Sequence, residues 1–217
     1  MPYSRSILAA VGSVIFVSTP LAAFQFPLSD SASRSAYFLG QRHDNSLAEF
    51  LARYSKHLPL PKAGPHVSDI VFFTPFAQLV QYSSHQGVYS AQQAEAEGPK
   101  NFGAVEIAVY IYFPHPSSLP NFVIRPSSMD TDQINPIELW RSYAVRVFDG
   151  KKLRQPASIS GQSLSICSPH GGGCTRVGTA IRLTVPAELF SSDTATIEVT
   201  TPDGQVVSAD FDLVSLR

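Results

Sequence analysis

Alternation constrains this chain most. From Ala104 onward, Val105, Ile107, Val109, Ile111 and Phe113 occupy every second position. Successive side chains of an extended strand point to opposite faces, so only a strand gathers such a set on one buried side. The same period returns at Ile181, Leu183 and Val185, and at Val207, Ala209, Phe211 and Leu213. Shorter runs from Tyr143 to Phe148, Ser163 to Cys167, Thr175 to Val177 and Ala195 to Thr200 read as further strands. Turn signals punctuate them: Asp149-Gly150 predicts a type I′ hairpin, whose central positions need positive φ, and Pro202-Asp203-Gly204 a second turn. Short strands at near-regular spacing predict a sandwich or barrel. The expected fold is mainly β, α+β overall: an immunoglobulin-like antiparallel β-sandwich with an N-terminal helical arm.

The first half has a different period. Residues 24–32 read as a loose leader, and a helix is expected from Ser33 to Gln41. Ser46-Leu47-Ala48-Glu49 fits a capping box, and Leu47, Phe50, Leu51, Tyr54 and Leu58 then recur at helical spacing until Pro59 and Pro61. That apolar stripe is expected to pack on the sandwich. Val67 to Thr74 reads as a strand. Thr74-Pro75 starts a short helix, with Pro where a missing N–H costs nothing. Ser90 to Gln93 is a second capping-box match, with Gly98-Pro99 as the stop. The segment 75–101 thus reads as a decorated loop, and 114–136, with five prolines, as an irregular crossover. The expected division is a signal peptide at 1–23, a helical arm at 24–65, and a β-sandwich domain at 66–217 with a helical loop insertion at 75–101.

The start of the chain reads as an export signal. Arg5 is followed by the uncharged apolar run Ile7 to Val17, then Pro20 and the small residues Ala22-Ala23. A spanning helix needs about 20 apolar residues, roughly twice this run. Cleavage is expected after Ala23. It takes away one Arg and no acid, leaving 15 basic and 17 acidic residues. Such a balance argues against nucleic acid as a partner. No Asn-x-Ser/Thr sequon is present, which favours a bacterial source. The protein is expected to be exported, periplasmic or secreted, with no membrane span after cleavage.

The most distinctive chemistry lies in Cys167-Ser-Pro-His-Gly-Gly-Gly-Cys174. Outside the cytoplasm disulfides persist, so a Cys167–Cys174 staple across a hairpin tip is the favoured reading. A metal site of Cys167, His170 and Cys174 lacks a fourth ligand. A His-Gly-Gly-Gly oxyanion loop requires a G-x-S-x-G turn, which the chain does not contain. Arg42-His43-Asp44 sets a base beside a carboxylate, but triad partners meet in space, so a charged helix junction is the plainer reading. The site candidates are therefore His43, Asp44 and His170. Asp130 and Asp132 resemble the opening of a calcium loop, but Asn135 and Arg141 stand where its Gly and Glu belong. Asp210 and Asp212 share one strand face and read as a solvated edge. Trp140 reads as packing.

The segments Ala36-Tyr-Phe-Leu-Gly-Gln-Arg-His43 and Asp210-Phe-Asp-Leu-Val-Ser-Leu-Arg217 resemble short exported bacterial proteins without an assigned activity. That resemblance implies no catalytic residue. The expected function is a non-catalytic binding or structural module, without cofactor, for a protein or glycan partner outside the cytoplasm. The competing expectation is a hydrolase or metal-dependent enzyme. It requires several of His43, His66, His85, His115, His170, Asp130 and Asp132 to meet in one pocket.

Overall fold

A computed structural model describes residues 24–59, 65–113, 139–167 and 174–216. The signal segment, the crossover at 114–136, and His115, Asp130, Asp132 and His170 lie outside these residues. Among these residues nine strands form two antiparallel sheets. They are β1 (Ser55–His57), β2 (His66–Phe73), β3 (Ala104–Tyr112), β4 (Ala144–Asp149), β5 (Lys152–Arg154), β6 (Ser158–Cys167), β7 (Cys174–Pro186), β8 (Thr194–Thr200) and β9 (Val206–Asp212). One sheet has the order β1-β2-β3-β7-β6 and the other β5-β4-β8-β9. Four helices, α1 (Asp30–Gly40), α2 (Asn45–Ala52), α3 (Pro75–His85) and α4 (Ala91–Asn101), make the fold α+β but sheet-rich.

The alternating residues do what their period requires. Val105, Ile107, Val109 and Ile111 of β3, Ile181, Leu183 and Val185 of β7, and Ala209 and Phe211 of β9 are buried in one apolar core shared by both sheets. Phe72 of β2 joins the sheets there: its ring stacks on Phe211 at 5.3 Å and meets Phe190 edge-on at 5.3 Å. Burying apolar area between two layers is the main force holding such a fold together.

A second, smaller core binds the helices. Leu28, Ala32 and Ala36 pack with Phe76, Leu79 and Val80 of α3 and Ala94 of α4. Small residues let the helices approach closely. A Cβ on Gly40 would sit 2.4 Å from the Val80 carbonyl oxygen, and one on Gly98 2.5 Å from Ser33 Oγ. The arm and the insertion at 75–101 are therefore one helical layer, with α1 lying against both α3 and α4.

Several expectations need correction. Residues 24–32 are no loose leader: Phe24 is buried against Phe190, and Leu28 and Ala32 are buried with the helices. The helix after His43 is capped by Asp44, whose carboxylate accepts from Ser46 N–H at 3.0 Å, and not by a Ser46 capping box. It stops at Ala52, because β1 pairs with β2 from Ser55 and sheet hydrogen bonds replace the last helical turn. Thr74 caps α3 as expected, and both halves of the Ser90–Gln93 capping box are made. However, α4 runs through Gly98-Pro99 to Asn101, with Gly98 buried against Ser33. The hairpin after β4 has Gly150 and Lys151 at its centre and positive φ only at Gly150 (56°), the pattern of type II′ and not type I′.

Phe50 of α2 is half-buried at the seam of the two cores, 5.0 Å from the Tyr54 ring and 5.9 Å from Phe76. Phe50→Ala should lower stability by about 2 kcal/mol, less than the ~3–5 kcal/mol of a fully buried Phe. Thermal unfolding of the variant checks this; an unchanged midpoint would show that the seam contributes nothing.

Candidate functional site

Gln78, Gln81, Tyr82 and His85 stand at i, i+3, i+4 and i+7 on α3, so one helical face presents them all. The opposite face is consumed in packing: Phe76, Ala77, Leu79, Val80 and Ser83 are buried. Phe102, which follows α4, and Glu106 of β3 complete a cleft of about 290 Å³ lined by these six residues.

Hydrogen bonding fixes what the cleft offers. Gln78 donates through Nε2 to the carbonyl oxygens of Phe73 at 3.0 Å and Ala104 at 2.7 Å. That spends its donors and leaves its amide oxygen. His85 Nδ1 lies 2.8 Å from the Gln81 carbonyl oxygen. A carbonyl only accepts, so Nδ1 carries a hydrogen and Nε2 is the ring nitrogen left without a partner among the described residues. Arg182 donates to Glu106 Oε1, while Oε2 has no hydrogen bond among the described residues. The groups whose roles these bonds fix are acceptors, beside ring faces; the Gln81 amide and the Tyr82 hydroxyl also line the cleft and can donate.

From the cleft a row of rings crosses the helical layer. Phe102 lies 6.0 Å from Tyr82, Tyr82 5.2 Å from Tyr89, Tyr89 6.0 Å from Tyr37, and Tyr37 5.3 Å from Phe38. Phe38 is 57% and Tyr82 41% exposed, and Val88, next to Tyr89, is 96% exposed. Two hydroxyls hold the row: Tyr37 donates to the Tyr89 carbonyl oxygen at 3.0 Å, and Tyr89 to Glu97 Oε2 at 3.4 Å. Burial, and then the negative charge of Glu97, push the Tyr89 phenol up to about 12, so it stays a donor at neutral pH.

The residues singled out from sequence lie elsewhere. Cys167 and Cys174 form the disulfide, with Cα atoms 3.9 Å apart. This is closer than the ~5.5–6 Å usual for disulfides; the two residues are register partners on β6 and β7. The bond closes a two-stranded ribbon that runs past the end of β3, from Ser165↔Arg176 to Cys167↔Cys174. His43 is exposed between α1 and α2. The Asp44 carboxylate is taken up capping α2, and hydrogen bonds from the Ser46 hydroxyl and N–H hold it below the usual carboxylate range. His66 is half-buried beside the Tyr112 ring. Asp210 accepts from Thr196 Oγ1 at 2.6 Å, and Asp212 from Val214 N–H at 3.2 Å. Among the described His and Asp candidates, only His85 lines the cleft. Among the described residues, no group of three or more His, Cys, Asp and Glu could hold a metal.

One contact escaped the sequence, and one residue packs as the sequence suggested. His57 of β1 lies against Asp69, its register partner on β2, a contact on an exposed histidine that adds little stability. Trp140 lies flat on β6, where a Cβ on Gly161 would meet its Cδ1 at 2.1 Å. It also lines a hollow of about 300 Å³ with Tyr143, Val145, Ile159 and Ile181. This is packing at an edge strand that only glycine permits. The α3 face did carry a signal in sequence, the four polar and aromatic residues at helical spacing beside an apolar face.

No protein-family model matches the chain, and no curated protein matches it.

Proposed function

We propose that this protein is an exported, non-catalytic binding module, an immunoglobulin-like sandwich whose helical layer presents the binding surface. The exposed aromatic row from Phe38 to Phe102, ending in the α3 cleft, carries this reading. Aromatic side chains offer large contact area with few rotors to immobilise, and they are enriched at the centres of interfaces. Gln81, His85, Glu97 and Glu106 stand around the rings as a polar rim supplies orientation. Two antiparallel sheets over one core support the sandwich architecture.

Export rests on the Arg5 and Ile7–Val17 pattern, and the Cys167–Cys174 disulfide lends it weak support. N-terminal sequencing of the mature protein should begin at Phe24, within a few residues. A soluble cytosolic form that retains Met1 would overturn the localisation.

The binding reading is tested with the exposed rings. Phe38→Ala and Tyr82→Ala should leave the unfolding midpoint within a few degrees of the parent. Each should weaken retention of a protein or glycan partner, measured on arrays of exported proteins and glycans, by about tenfold or more. Retention that ignores both substitutions would place the binding surface elsewhere.

A further inference from the structure

We infer that the α3 cleft is a binding site for an organic cation, an alkylammonium or guanidinium group. This deepens the proposed binding role and rests on it. Four features of the cleft agree. The Gln78 side chain has its donors committed and turns only its oxygen to a ligand. His85 has Nδ1–H committed to the Gln81 carbonyl oxygen and leaves Nε2 for a ligand. Glu106 supplies a half-buried carboxylate with one oxygen unengaged among the described residues. Tyr82 and Phe102 line the cleft with planes tilted by 59° and centroids 6.0 Å apart. A cation in the cleft can rest on the accessible face of one of these rings. A ligand that complements acceptors and ring faces must be a donor, positively charged, or both.

Size and charge narrow the class. A cleft of about 290 Å³ lies at the small end of ligand pockets and suits one side chain or a compact ammonium ion. An anion would meet the carboxylate of Glu106. Arg182 holds Oε1 of this carboxylate, and Oε2 is the oxygen left for a second donor. The Tyr89–Glu97 pair adds negative charge next to Tyr82.

The test is a titration of the purified full chain, followed by the aromatic proton resonances of Tyr82 and Phe102. The probes are tetramethylammonium chloride, N-acetyl-arginine amide, and the neutral isostere 3,3-dimethylbutan-1-ol. Saturable binding of a cationic probe is expected at millimolar concentration, with the neutral isostere at least tenfold weaker. Tyr82→Ala, at an exposed ring, and Glu106→Gln, which removes charge but keeps shape, should each weaken the cation by about tenfold. Tighter binding of tetramethylammonium would mark a free ammonium compound as the ligand, and tighter binding of the arginine amide a partner's side chain. Absence of saturation, or equal binding of the neutral isostere, would overturn the inference. If partner retention nevertheless depended on Phe38 and Tyr82, the binding surface would stand and only its cationic specificity would fall.

Discussion

Asp149→Asn should lower the unfolding free energy by about 3–5 kcal/mol, the loss expected when one partner of a buried ion pair is removed. Asp149 is 1% exposed. Its carboxylate accepts from Arg154 Nη2 at 2.7 Å, from the N–H groups of Ser191 at 3.2 Å and Ser192 at 2.8 Å, and from the Ser191 hydroxyl at 3.3 Å. The residue ties the β4–β5 hairpin to the turn before β8. Burial pushes its pKa up, but the hydrogen bonds from Arg154 and the two N–H groups outweigh burial, and the net pKa lies below the ordinary value of 3.8. The sign follows. A carboxyl whose folded pKa is depressed adds stability above its unfolded pKa and loses it as pH falls through the folded one. Stability at neutral pH therefore contains this contribution in full, and acid removes it below the ordinary carboxylate range. In Asp149→Asn that part of the acid slope should be missing. Denaturant unfolding of parent and variant from neutral to acid pH measures both effects. The double change Asp149→Asn with Arg154→Met should cost less than the two single losses added, because the surviving charge is then gone as well.

Phe72→Ala is the second large loss expected, about 3–5 kcal/mol. The side chain is fully buried, and its ring touches Phe211 of the facing sheet and Phe190 of the connection before β8. The cavity left behind would lie among core residues of both sheets, which relax only partly around it. Phe72→Leu, which keeps most of the volume, should cost markedly less. Urea unfolding reads the pair of variants. A loss in Phe72→Ala no larger than that in Phe50→Ala would show that the sheets do not depend on this contact.

Much of the sheet structure was legible along the chain, because strands buried on one side must repeat every second residue. Val105 to Ile111 and Ile181 to Val185 obey that rule and are buried as it demands. The cap of α3 by Thr74 and the Ser90–Gln93 box were legible too, since capping is a local hydrogen bond among residues close in sequence. The cysteine pairing also followed from one pair of thiols in one hairpin. Errors arose where a distant segment intervened. Tyr54 and Leu58 continued a helical period, yet β2 offered Ser55 to His57 a strand partner and the helix ended. Pro99 looked like a stop, yet the packing of Gly98 on Ser33 carried α4 past it.

What the sequence by itself determined is local: where strands alternate, where helices begin, and that Cys167 and Cys174 face each other across a hairpin. Tertiary structure alone decided that residues 24–52 and 75–101 form one layer, because Gly40 and Gly98 permit close contacts between segments some forty or more residues apart in the chain. It alone brought Phe102 and Glu106 to the polar face of α3, and lined five rings from Phe38 to Phe102 in a row. His43 and Asp44 drew notice because they are neighbours in sequence. The cleft went unnoticed because its residues become neighbours only when a helix, the end of another and a strand are packed together, and no period along the chain encodes that.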